Sequence, residues 1–559
     1  GTPIFDANYT YTTKSGVKVG FFGMETPETQ TKANPTKIKG LTFATNDAFT
    51  KAAADQVEAL KDADVVICLA HLGVDGESKP YRSTDLYAAV KGIDFIVDGH
   101  SHTVMTKGEK GEPIQSTGTA FANIGVIVID DASKKIESNS LYEIKEDTAK
   151  DAAVAAAAQK IIDRIDKEYG AVFAKSKVEL NGAKAPNGNR DGETNNGDLI
   201  TDAMLWKVMQ NKEGLTVNED HVVAITNGGG IRAAIKVGDV TKKDIKTVLP
   251  FGNTIEVIYV TGNELLEALE ASTFCVPESI GGFPQVSGIS YTISTGAVYD
   301  ANAETYPAST YYGPKTINRV SINSINGKEF KADDTYAVVT NDFCSAGGDT
   351  YYAFKSTAKA DKVATGVALD QALMNYVKTE LKGVIGKQYA APQGRILMNP
   401  FKDVKASAWY GSYVISLYND GVISGTSATT YAPNDTLTWA AALKLLLVSN
   451  GDLKAADATG ADWSKNAIAK AAELGLVAAD LDGAKAISRL EFCQVAAKLN
   501  KLAESKTESK FTDCADGYVM ALVDAKVISG MTETTFEPAA SLTRAQIAKI
   551  LYQLTLIEK

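Results

Sequence analysis

Four short apolar runs near the start of the chain constrain the fold more than any other feature of the sequence. They are Val17–Met24, Asp64–Ala70, Asp94–Asp98 and Ile124–Ile129. Between the first two runs, residues 46–61 place apolar side chains at helical spacing. Short, nearly continuous apolar strands that alternate with amphipathic helices predict an α/β layer whose strands are buried.

The chain has 559 residues, too many for one hydrophobic core, so several domains are expected. Residues 147–169 are rich in alanine and charge and lack glycine and proline, which predicts one long connecting helix. A second α/β domain is predicted from about 173 to 398. After it, a motif of about 55 residues recurs, and Phe401–Val404 returns as Phe511–Cys514 in the third of three copies.

Charge and residue counts exclude several classes of function. Lys and Arg total 57 against 68 Asp and Glu, giving a formal charge of −11. Nucleic-acid polymers and anionic membranes are therefore not expected partners, because both bind basic surfaces. Five cysteines, an odd and sparse number, exclude a disulfide scaffold. No apolar run reaches the roughly 18 residues of a membrane span, and the non-methionine start indicates a processed or truncated product.

Three of the four histidines follow predicted strands at corresponding places. They are His71, His100 and His102, and open α/β sheets bind ligands at the carboxyl ends of their strands. Imidazole is a good ligand for zinc, manganese or iron, and two imidazoles at a two-residue spacing on a loop can approach a metal pair from one side. Exposed loop histidines are the alternative, but their shared position favours a metal site.

The sequence around these histidines resembles a known family. VKVGFFGMETPET from Val17, AHLG around His71 and GHSH ending at His102 are similar to the latter part of the calcineurin-like metallophosphoesterase domain. The version is that of bacterial 5′-nucleotidases and 2′,3′-cyclic-nucleotide phosphodiesterases. The resemblance implies a partial metallophosphoesterase sandwich over residues 1–145 and an interdomain helix over 146–172. It also implies that His71 and His100 bind one of two divalent ions, zinc or manganese, and that His102 binds the other.

The family's earlier motifs are absent from this sequence. An Asp-x-His, a Gly-Asp and an Asn-His-Glu would lie upstream of Val17, and in the family they supply the remaining metal ligands and the catalytic histidine. The resemblance therefore implies no catalytic residue in this chain, which is expected to be inactive alone. Either an upstream portion was lost or left out, or it exists as a separate piece. Missing first strands also predict an open sheet edge.

Three further motifs resemble the substrate-binding C-terminal domain of 5′-nucleotidases over residues 173–398. They are NGGGIR at 227–232, LPFGN at 249–253 and NDF followed by GGD at 341–349. A glycine run lets backbone approach a ligand, an arginine can grip phosphate, and two aromatic faces can clamp a nucleobase. The resemblance implies five substrate-binding residues: Asn227, Arg232, the base-stacking Phe251 and Phe343, and the sugar-binding Asp349.

Alternatives accompany these assignments. A tight turn is the alternative for the glycines, and core packing is the alternative for the two phenylalanines. Arg190 is a further candidate contact for phosphate or substrate. Asn195 is expected to fix the start of a helix, and His221, which matches no motif, is expected to be structural.

The C-terminal repeats resemble three S-layer homology modules, at 399–457, 458–507 and 508–559. The resemblance implies a mainly α-helical, pseudo-threefold trimer that binds pyruvylated secondary cell-wall polysaccharide in grooves between modules. Trp439 replaces the motif arginine in the first copy, so one groove is expected to bind poorly. By motif matching, the implied polysaccharide ligands are Arg489, Arg544, Asp403, Asp513 and Trp409. Helix N-capping is the alternative role for Asp403 and Asp513.

Two functions are compatible with the whole pattern. The first is a cell-wall-anchored, extracellular phosphohydrolase of nucleoside 5′-monophosphates or related esters, with a nucleotide and the wall polysaccharide as partners. The second is a non-catalytic surface-layer or structural protein built on a nucleotidase-like body. Assembly into a lattice or an oligomer is compatible with both functions. The intact substrate motifs favour the enzyme. Both functions predict a location at the bacterial cell surface.

Overall fold

The computed structural model describes residues 5–33, 38, 40–298, 304–306, 313–357, 362–454 and 457–557. The chain forms two compact units, one from residues 1–289, 299–318 and 322–395 and the other from 290–298, 319–321 and 396–559. The start of the first predicted domain, residues 1–4, and the end of the last predicted module, residues 558–559, lie outside the described residues. The predicted boundaries at 145, 172, 398, 457 and 507 remain predictions.

The first unit begins with a six-stranded sheet in the order β1-β2-β3-β4-β6-β5. Strands β2, β3, β4 and β6 are parallel neighbours, and β1 and β5 pair antiparallel at the two edges. The strands are β1 (Asn8–Thr12), β2 (Lys18–Glu25), β3 (Val65–His71), β4 (Phe95–Asp98), β5 (Val104–Met105) and β6 (Ile114–Thr117). The helices of this part are Thr29–Lys32, Asp47–Ala59 and Ser83–Ala89, with a 3-10 turn at Gly76–Ser78.

The central strands are buried on both faces, as the apolar runs predict. Val66 and Cys68 of β3 pack into one apolar cluster with Phe49 of the helix Asp47–Ala59, whereas Val65 and Ile67 pack into a second cluster on the opposite face. Alternate residues of a strand point to opposite faces, so a continuous apolar run is required for burial on both. The mixed α/β layer predicted from the first three runs is confirmed.

The prediction of a buried strand at Ile124–Ile129 is wrong. This segment is β7 (Asn123–Asp130), which pairs antiparallel with β8 (Lys135–Glu143) in a separate two-stranded ribbon. Ile127 and Ile129 pack against the sheet, while Ile124, Val126 and Val128 on the other face are 51%, 41% and 40% exposed. Only one face of the ribbon is covered, so about half of the apolar side chains in this run remain exposed to solvent.

The rest of the first unit is built on a mixed five-stranded sheet in the order β13-β10-β16-β12-β17, beside a three-stranded sheet β11-β9-β18. The strands that lie wholly in this unit are β9 (Val172–Ser176), β10 (Val222–Asn227), β11 (Gly238–Thr241), β12 (Thr254–Thr261), β13 (Pro284–Ser287), β16 (Thr335–Asn341), β17 (Val363–Ala368) and β18 (Val384–Ile385). Most of β14 (Ile289–Ile293) belongs to the second unit, and β15 (Val320–Ile325) is divided between the two. The helices are Ala152–Tyr169, Asn195–Met209, Lys242–Val248, Gly262–Thr273, Asp342–Ser345, Tyr352–Thr357 and Leu369–Thr379, with 3-10 turns at Lys212–Gly214, Glu219–His221, Gly228–Gly230 and Lys387–Tyr389.

Two helix starts differ from their predictions. The connecting helix begins at Ala152 rather than at 147, because the Asp151 carboxylate accepts the Val154 N–H and so caps the helix there. The assignment of Asn195 as a helix cap is wrong. Thr194 is the cap, and its hydroxyl accepts the Gly197 N–H at 3.0 Å. The Asn195 amide instead donates to the backbone carbonyl oxygens of Glu179 and Tyr389.

His221 lies outside the candidate site described below. Its two ring nitrogens face the carboxylates of Asp220 at 2.6 Å and Asp334 at 3.2 Å, and its ring stacks on Tyr336. Hydrogen bonds to Asp220 and then Asp334 raise the pKa of His221. These contacts are those of a residue that joins a turn to a neighbouring loop.

The second unit contains the helices Gly411–Asn419, Trp439–Asn450, Trp463–Glu473, Arg489–Leu499, Gly517–Asp524 and Arg544–Thr555, and β14 pairs parallel with β19 (Ile396–Met398). Thr438, Ser488 and Thr543 cap equivalent helices of the three repeats. Bridges join 436 to 543, 438 to 486 and 488 to 541, so each repeat touches the other two. One apolar cluster draws residues from all three repeats. The pseudo-threefold trimer itself stays a prediction.

Asp403 and Asp513 do not cap helices, so that alternative is wrong. Asp403 accepts the N–H groups of Tyr431 and Ala432, at 2.9 and 2.7 Å. Asp513 makes the same pair of bonds, to the N–H groups of the residues equivalent to these, Phe536 and Glu537, both at 2.8 Å. Each aspartate therefore ties the start of its repeat to the later aromatic-x-Pro turn of that repeat.

Within the described ranges, no helix combines the length and apolar character needed to cross a membrane.

Candidate functional site

A cavity of about 320 Å³ in the first unit gathers every predicted metal and substrate residue. The predicted residues that line it are His71, His100, His102, Arg190, Asn227, Arg232, Phe251, Phe343 and Asp349. Other lining residues, which were not predicted from the sequence, include Lys32, Asp75, Glu77, Asn253 and Gly281. The cavity therefore joins the loops after β3 and β4 to the three motifs of the second sheet.

A buried carboxylate at the end of β4 positions the histidine loops. Asp98 Oδ1 accepts the N–H groups of Leu72 at 2.9 Å, Gly73 at 3.2 Å and Gly99 at 2.8 Å. The loop after β3 and the loop after β4 are thus held by one oxygen atom. Gly73 has a φ of +74°, and a Cβ there would lie 3.1 Å from His100 Cδ2, so both the backbone conformation and this close approach favour glycine.

His71 and His100 face each other within this frame. His71 is the last residue of β3, and its Nε2 lies 3.2 Å from His100 Nδ1. His100 Nε2 lies 3.4 Å from the buried Glu28 carboxylate. Burial alone would lower the pKa of His100, but the hydrogen bond and negative charge of Glu28 raise it overall. His100 and His102 both adopt left-handed backbone, with φ of 67° and 58°, a conformation that is uncommon for residues other than glycine.

The His71–His100 pair fits one metal ion. Two imidazole nitrogens that share a tetrahedral zinc ion would lie about 3.3 Å apart, close to the 3.2 Å between these nitrogens. A carboxylate on the far ring nitrogen, as Glu28 provides, is a usual partner of a metal-binding histidine. Across the described ranges, however, no group of three or more His, Cys, Asp or Glu side chains is arranged to hold an ion. The described residues therefore hold two imidazoles at this distance but no complete set of metal donors.

Cationic side chains surround His102. Burial, followed by the positive charges of Arg232 and Arg190, lowers the pKa of His102. Burial and the charge of Arg190 also lower the pKa of Arg232. Cations that disfavour one another's charge are stabilised by an anion among them, so this side of the cavity suits a phosphate group.

The two predicted base-stacking residues line the same cavity. Phe251 is 62% exposed, and the Arg232 guanidinium lies 5.7 Å from its ring centroid. Phe343 lies in the short helix Asp342–Ser345, and a Cβ on Gly348 would come within 2.5 Å of its ring. The Gly348 position therefore needs glycine for the Phe343 ring to lie where it does.

Asp349 is buried in a network of charged and polar groups. Asn227 donates its side-chain N–H to Asp349 Oδ2 at 2.7 Å, and Lys32 Nζ lies 3.0 Å from Asp349 Oδ1. Lys32 also donates to Glu77 at 2.8 Å, and the Gly281 N–H approaches the Glu77 carboxylate at 3.2 Å. Burial alone would lower the pKa of Lys32, but the charges of Asp349 and Glu77 raise it. Asn227 thus lines the cavity and also holds the Asp349 carboxylate.

A smaller cavity of about 160 Å³ in the second unit brings together two of the five predicted polysaccharide residues, Trp409 and Arg489. Arg489 donates to the Ser529 carbonyl at 2.7 Å and lies 4.7 Å from the Phe536 ring centroid. Its Nε is a buried donor with no partner among the described residues. Arg544 makes the equivalent contacts in another repeat pair, to the Ser424 carbonyl at 2.9 Å and over the Tyr431 ring at 4.4 Å.

Two protein families match the sequence, one in the body of the chain and one in the C-terminal repeats. Residues 172–356 match the family described as 5′-nucleotidase, C-terminal domain. Residues 400–442 and 512–548 match the S-layer homology domain. The chain therefore combines a 5′-nucleotidase-like body with S-layer homology modules, and such modules indicate anchoring at the cell surface.

Individual relatives share the body of the chain. The trifunctional nucleotide phosphoesterase protein YfkN of Bacillus subtilis is 32% identical over 366 residues, which are 62% of this chain and 22% of that protein. The 5′-nucleotidase of Vibrio cholerae is 25% identical over 432 residues, 69% of this chain and 70% of that protein. The crystal structure of a 5′-nucleotidase precursor from Thermus thermophilus superposes with a TM-score of 0.54 at 29% identity, covering 70% of this chain and 74% of that one. The chain thus spans about a fifth of the length of YfkN.

Proposed function

We propose that this 5′-nucleotidase-like chain is the substrate-binding and partial metal-binding portion of a cell-wall-anchored phosphohydrolase of nucleoside 5′-monophosphates or related esters. The single observation that carries the proposal is the convergence of three histidines and three substrate motifs on one cavity. His71, His100 and His102 come from the end of one sheet, and the motifs come from the other. Such a cavity can hold both a phosphate ester and the nucleoside that carries it.

The metal-binding part of the proposal is supported by the spacing and partners of the histidines. His71 Nε2 and His100 Nδ1 would share one divalent ion, zinc or manganese, with Glu28 orienting the His100 ring; His102 would face a second ion. Divalent ions, when bound, activate water and neutralise charge on the phosphoryl group. Donors from outside the described residues would complete both metal sites.

Charge and aromatic surface support a nucleotide as the substrate. Arg190 and Arg232 would contact the phosphate, because their mutual repulsion is relieved by an anion. Phe251 and Phe343 would stack on the base, and stacking accepts any base because each has a π-face. Asp349 would accept hydrogen bonds from the sugar hydroxyls, with Asn227 orienting its carboxylate.

Hydrolysis of adenosine 5′-monophosphate with added Mn²⁺ or Zn²⁺ tests the enzyme. We expect little or no hydrolysis by the 559-residue chain and clear hydrolysis by a longer form that carries the earlier motifs of the family. His100→Ala in the longer form should abolish that activity. No hydrolysis by a correctly folded longer form would exclude the enzymatic function.

A non-catalytic surface protein is the second candidate. The observation that favours it is the incomplete donor set, since the described residues bring no three metal-binding side chains together. It predicts that the longer form binds nucleotide with the same affinity as the 559-residue chain and does not hydrolyse it. The same pair of proteins therefore separates the two functions.

The anchoring part of the proposal assigns wall-polysaccharide binding to the S-layer homology modules. Arg489 and Trp409 would line one groove and Arg544 another, because a guanidinium pairs bidentately with the carboxylate of a pyruvylated sugar. Asp403 and Asp513 would support these grooves through their turns. Binding of purified cell wall by the wild type should be lost when Arg489 and Arg544 are both changed to Ala. Lys465→Ala, which removes an exposed cation outside these grooves, is the matched control.

A further inference from the structure

The carboxylate proposed to hold the sugar is already engaged by protein groups. Asp349 Oδ1 lies 3.0 Å from Lys32 Nζ, and Oδ2 accepts from Asn227 at 2.7 Å. Its side chain is only 5% exposed. A sugar hydroxyl that donates to Asp349 must therefore displace one of these partners or open the contact around them.

Lys32 is the partner that comes from the other sheet. It belongs to the helix Thr29–Lys32 after β2, and the preceding Thr31 carbonyl accepts the Asp349 N–H at 3.0 Å. Two successive residues thus engage Asp349, one through the backbone and one through the side chain. Glu77, which also follows the first sheet, holds the ammonium at 2.8 Å and accepts from Gly281 beside Asp349.

Close packing makes this contact specific. A Cβ on Gly281 would lie 3.2 Å from Lys32 Nζ and 3.5 Å from Asp349 Oδ1. The ammonium therefore occupies the space directly beside the carboxylate, where a ribose hydroxyl would have to approach. Asn227 approaches the other oxygen from its own strand, β10, and can stay in place.

We propose that Lys32 is an internal competitor for the sugar position, and that a nucleoside binds only when its hydroxyls replace the Lys32 ammonium on Asp349. This inference rests on the proposed function, which places the sugar at Asp349. Lys32 follows the first sheet and Asp349 follows the second, so the exchange removes one of two links at this point, while the Thr31 carbonyl keeps the Asp349 N–H. The Lys32–Asp349 contact is thus autoinhibitory, and the substrate's sugar relieves it.

Nucleoside affinity tests the competition without any need for metal or catalysis. Isothermal titration calorimetry would compare adenosine and 2′,3′-dideoxyadenosine on the 559-residue chain and on Lys32→Met, which keeps the length of the side chain and removes its charge. We expect about a tenfold lower Kd for adenosine on Lys32→Met, because the binding-competent state no longer requires the ion pair to break. Dideoxyadenosine, which lacks the competing hydroxyls, should not gain.

Lys184→Met is the matched control. Lys184 also joins the two sheets, through Asp75 at 2.7 Å and the Ser101 carbonyl at 2.8 Å, and neither partner is Asp349. It should leave the Kd for adenosine unchanged. If Lys32→Met does not fold because Glu77 is left buried and unpaired, Lys32→Met with Glu77→Gln removes both charges and carries the same prediction.

The outcomes separate the competition from the proposed function. An unchanged or higher Kd for adenosine on Lys32→Met overturns the competition, and so does an equal gain for dideoxyadenosine. If Asp349→Asn meanwhile abolishes binding of adenosine to the otherwise wild-type chain, the nucleotide site stands and only the role of Lys32 falls. If no nucleoside binds any form, both are overturned.

Discussion

The buried Asp98 carboxylate offers the sharpest test of how the histidine loops are held. Asp98→Ala removes the shared acceptor of three backbone N–H groups, those of Leu72, Gly73 and Gly99. A hydrogen bond to a charged group contributes about 1.5–3 kcal/mol, and water can satisfy part of what is lost. We therefore expect the free energy of local opening of these loops to fall by about 3 kcal/mol, or about a hundredfold in the opening equilibrium.

Amide hydrogen exchange reads this change directly, because it reports local opening at individual backbone N–H groups. Leu72 and Gly73 should exchange about a hundredfold faster in Asp98→Ala than in the wild type. Asp98→Asn keeps an acceptor oxygen without the charge and should give an intermediate rate.

Asp94→Ala is the matched control for this experiment. Asp94 precedes the same strand and accepts one backbone N–H, that of Val66, at 2.7 Å. It should speed exchange at Val66 and leave Leu72 and Gly73 unchanged. Wild-type exchange rates at Leu72 and Gly73 in Asp98→Ala, or equal rates in the two variants, would refute the argument that one carboxylate holds both loops.

Two further predictions concern the second sheet of the same unit. Phe343→Ala and Phe251→Ala should each weaken adenosine binding by about 1–3 kcal/mol, the value for a stacked base, with the more exposed Phe251 at the lower end. Titration calorimetry with adenosine and cytidine measures this loss. Equal affinities for the wild type and both variants would contradict the base clamp. His221→Gln should destabilise the protein more at pH 6 than at pH 9. Its raised folded pKa gives stability that is full below the unfolded value and is lost as pH rises through the folded value. A difference in urea midpoint between wild type and variant that grows with pH would contradict this.

The sequence was sufficient for the sheet strands because their apolar runs carry the information locally. Val65–His71 and Phe95–Asp98 are recognisable without their neighbours, and parallel strands buried on both faces require such runs. Ile124–Ile129 has the same local composition but pairs only with the polar strand Lys135–Glu143. Which face is covered depends on that partner, and no pattern within the run shows it.

The candidate site divides in the same way. Asp349 and Phe343 were predicted because they lie in a recognisable motif. Lys32 and Glu77 were missed because their role comes from contacts with a distant part of the chain, and neither belongs to a motif of charged residues. Asp98 could have been predicted from its position between a buried strand and a histidine loop. Aspartate side chains at turns commonly accept nearby backbone N–H groups, and Asp98 does so here.

The recurring polar residues of the repeats differ in the contacts that they make. Asp403 and Asp513 make the same two backbone bonds in their own repeats, so their recurrence is explained by the turn they stabilise. Arg489 is different: one guanidinium donor contacts a carbonyl, yet its buried Nε has no partner among the described residues. An unsatisfied buried donor costs about 1–3 kcal/mol, a cost that a carboxylated ligand would remove. Arg544 differs, because its Nε donates to the Tyr431 carbonyl at 2.6 Å. Trp439, at the same position of the first repeat, is buried in the apolar cluster and carries no guanidinium that could pair with a carboxylate. The proposed polysaccharide binding is therefore confined to the repeats that carry arginine.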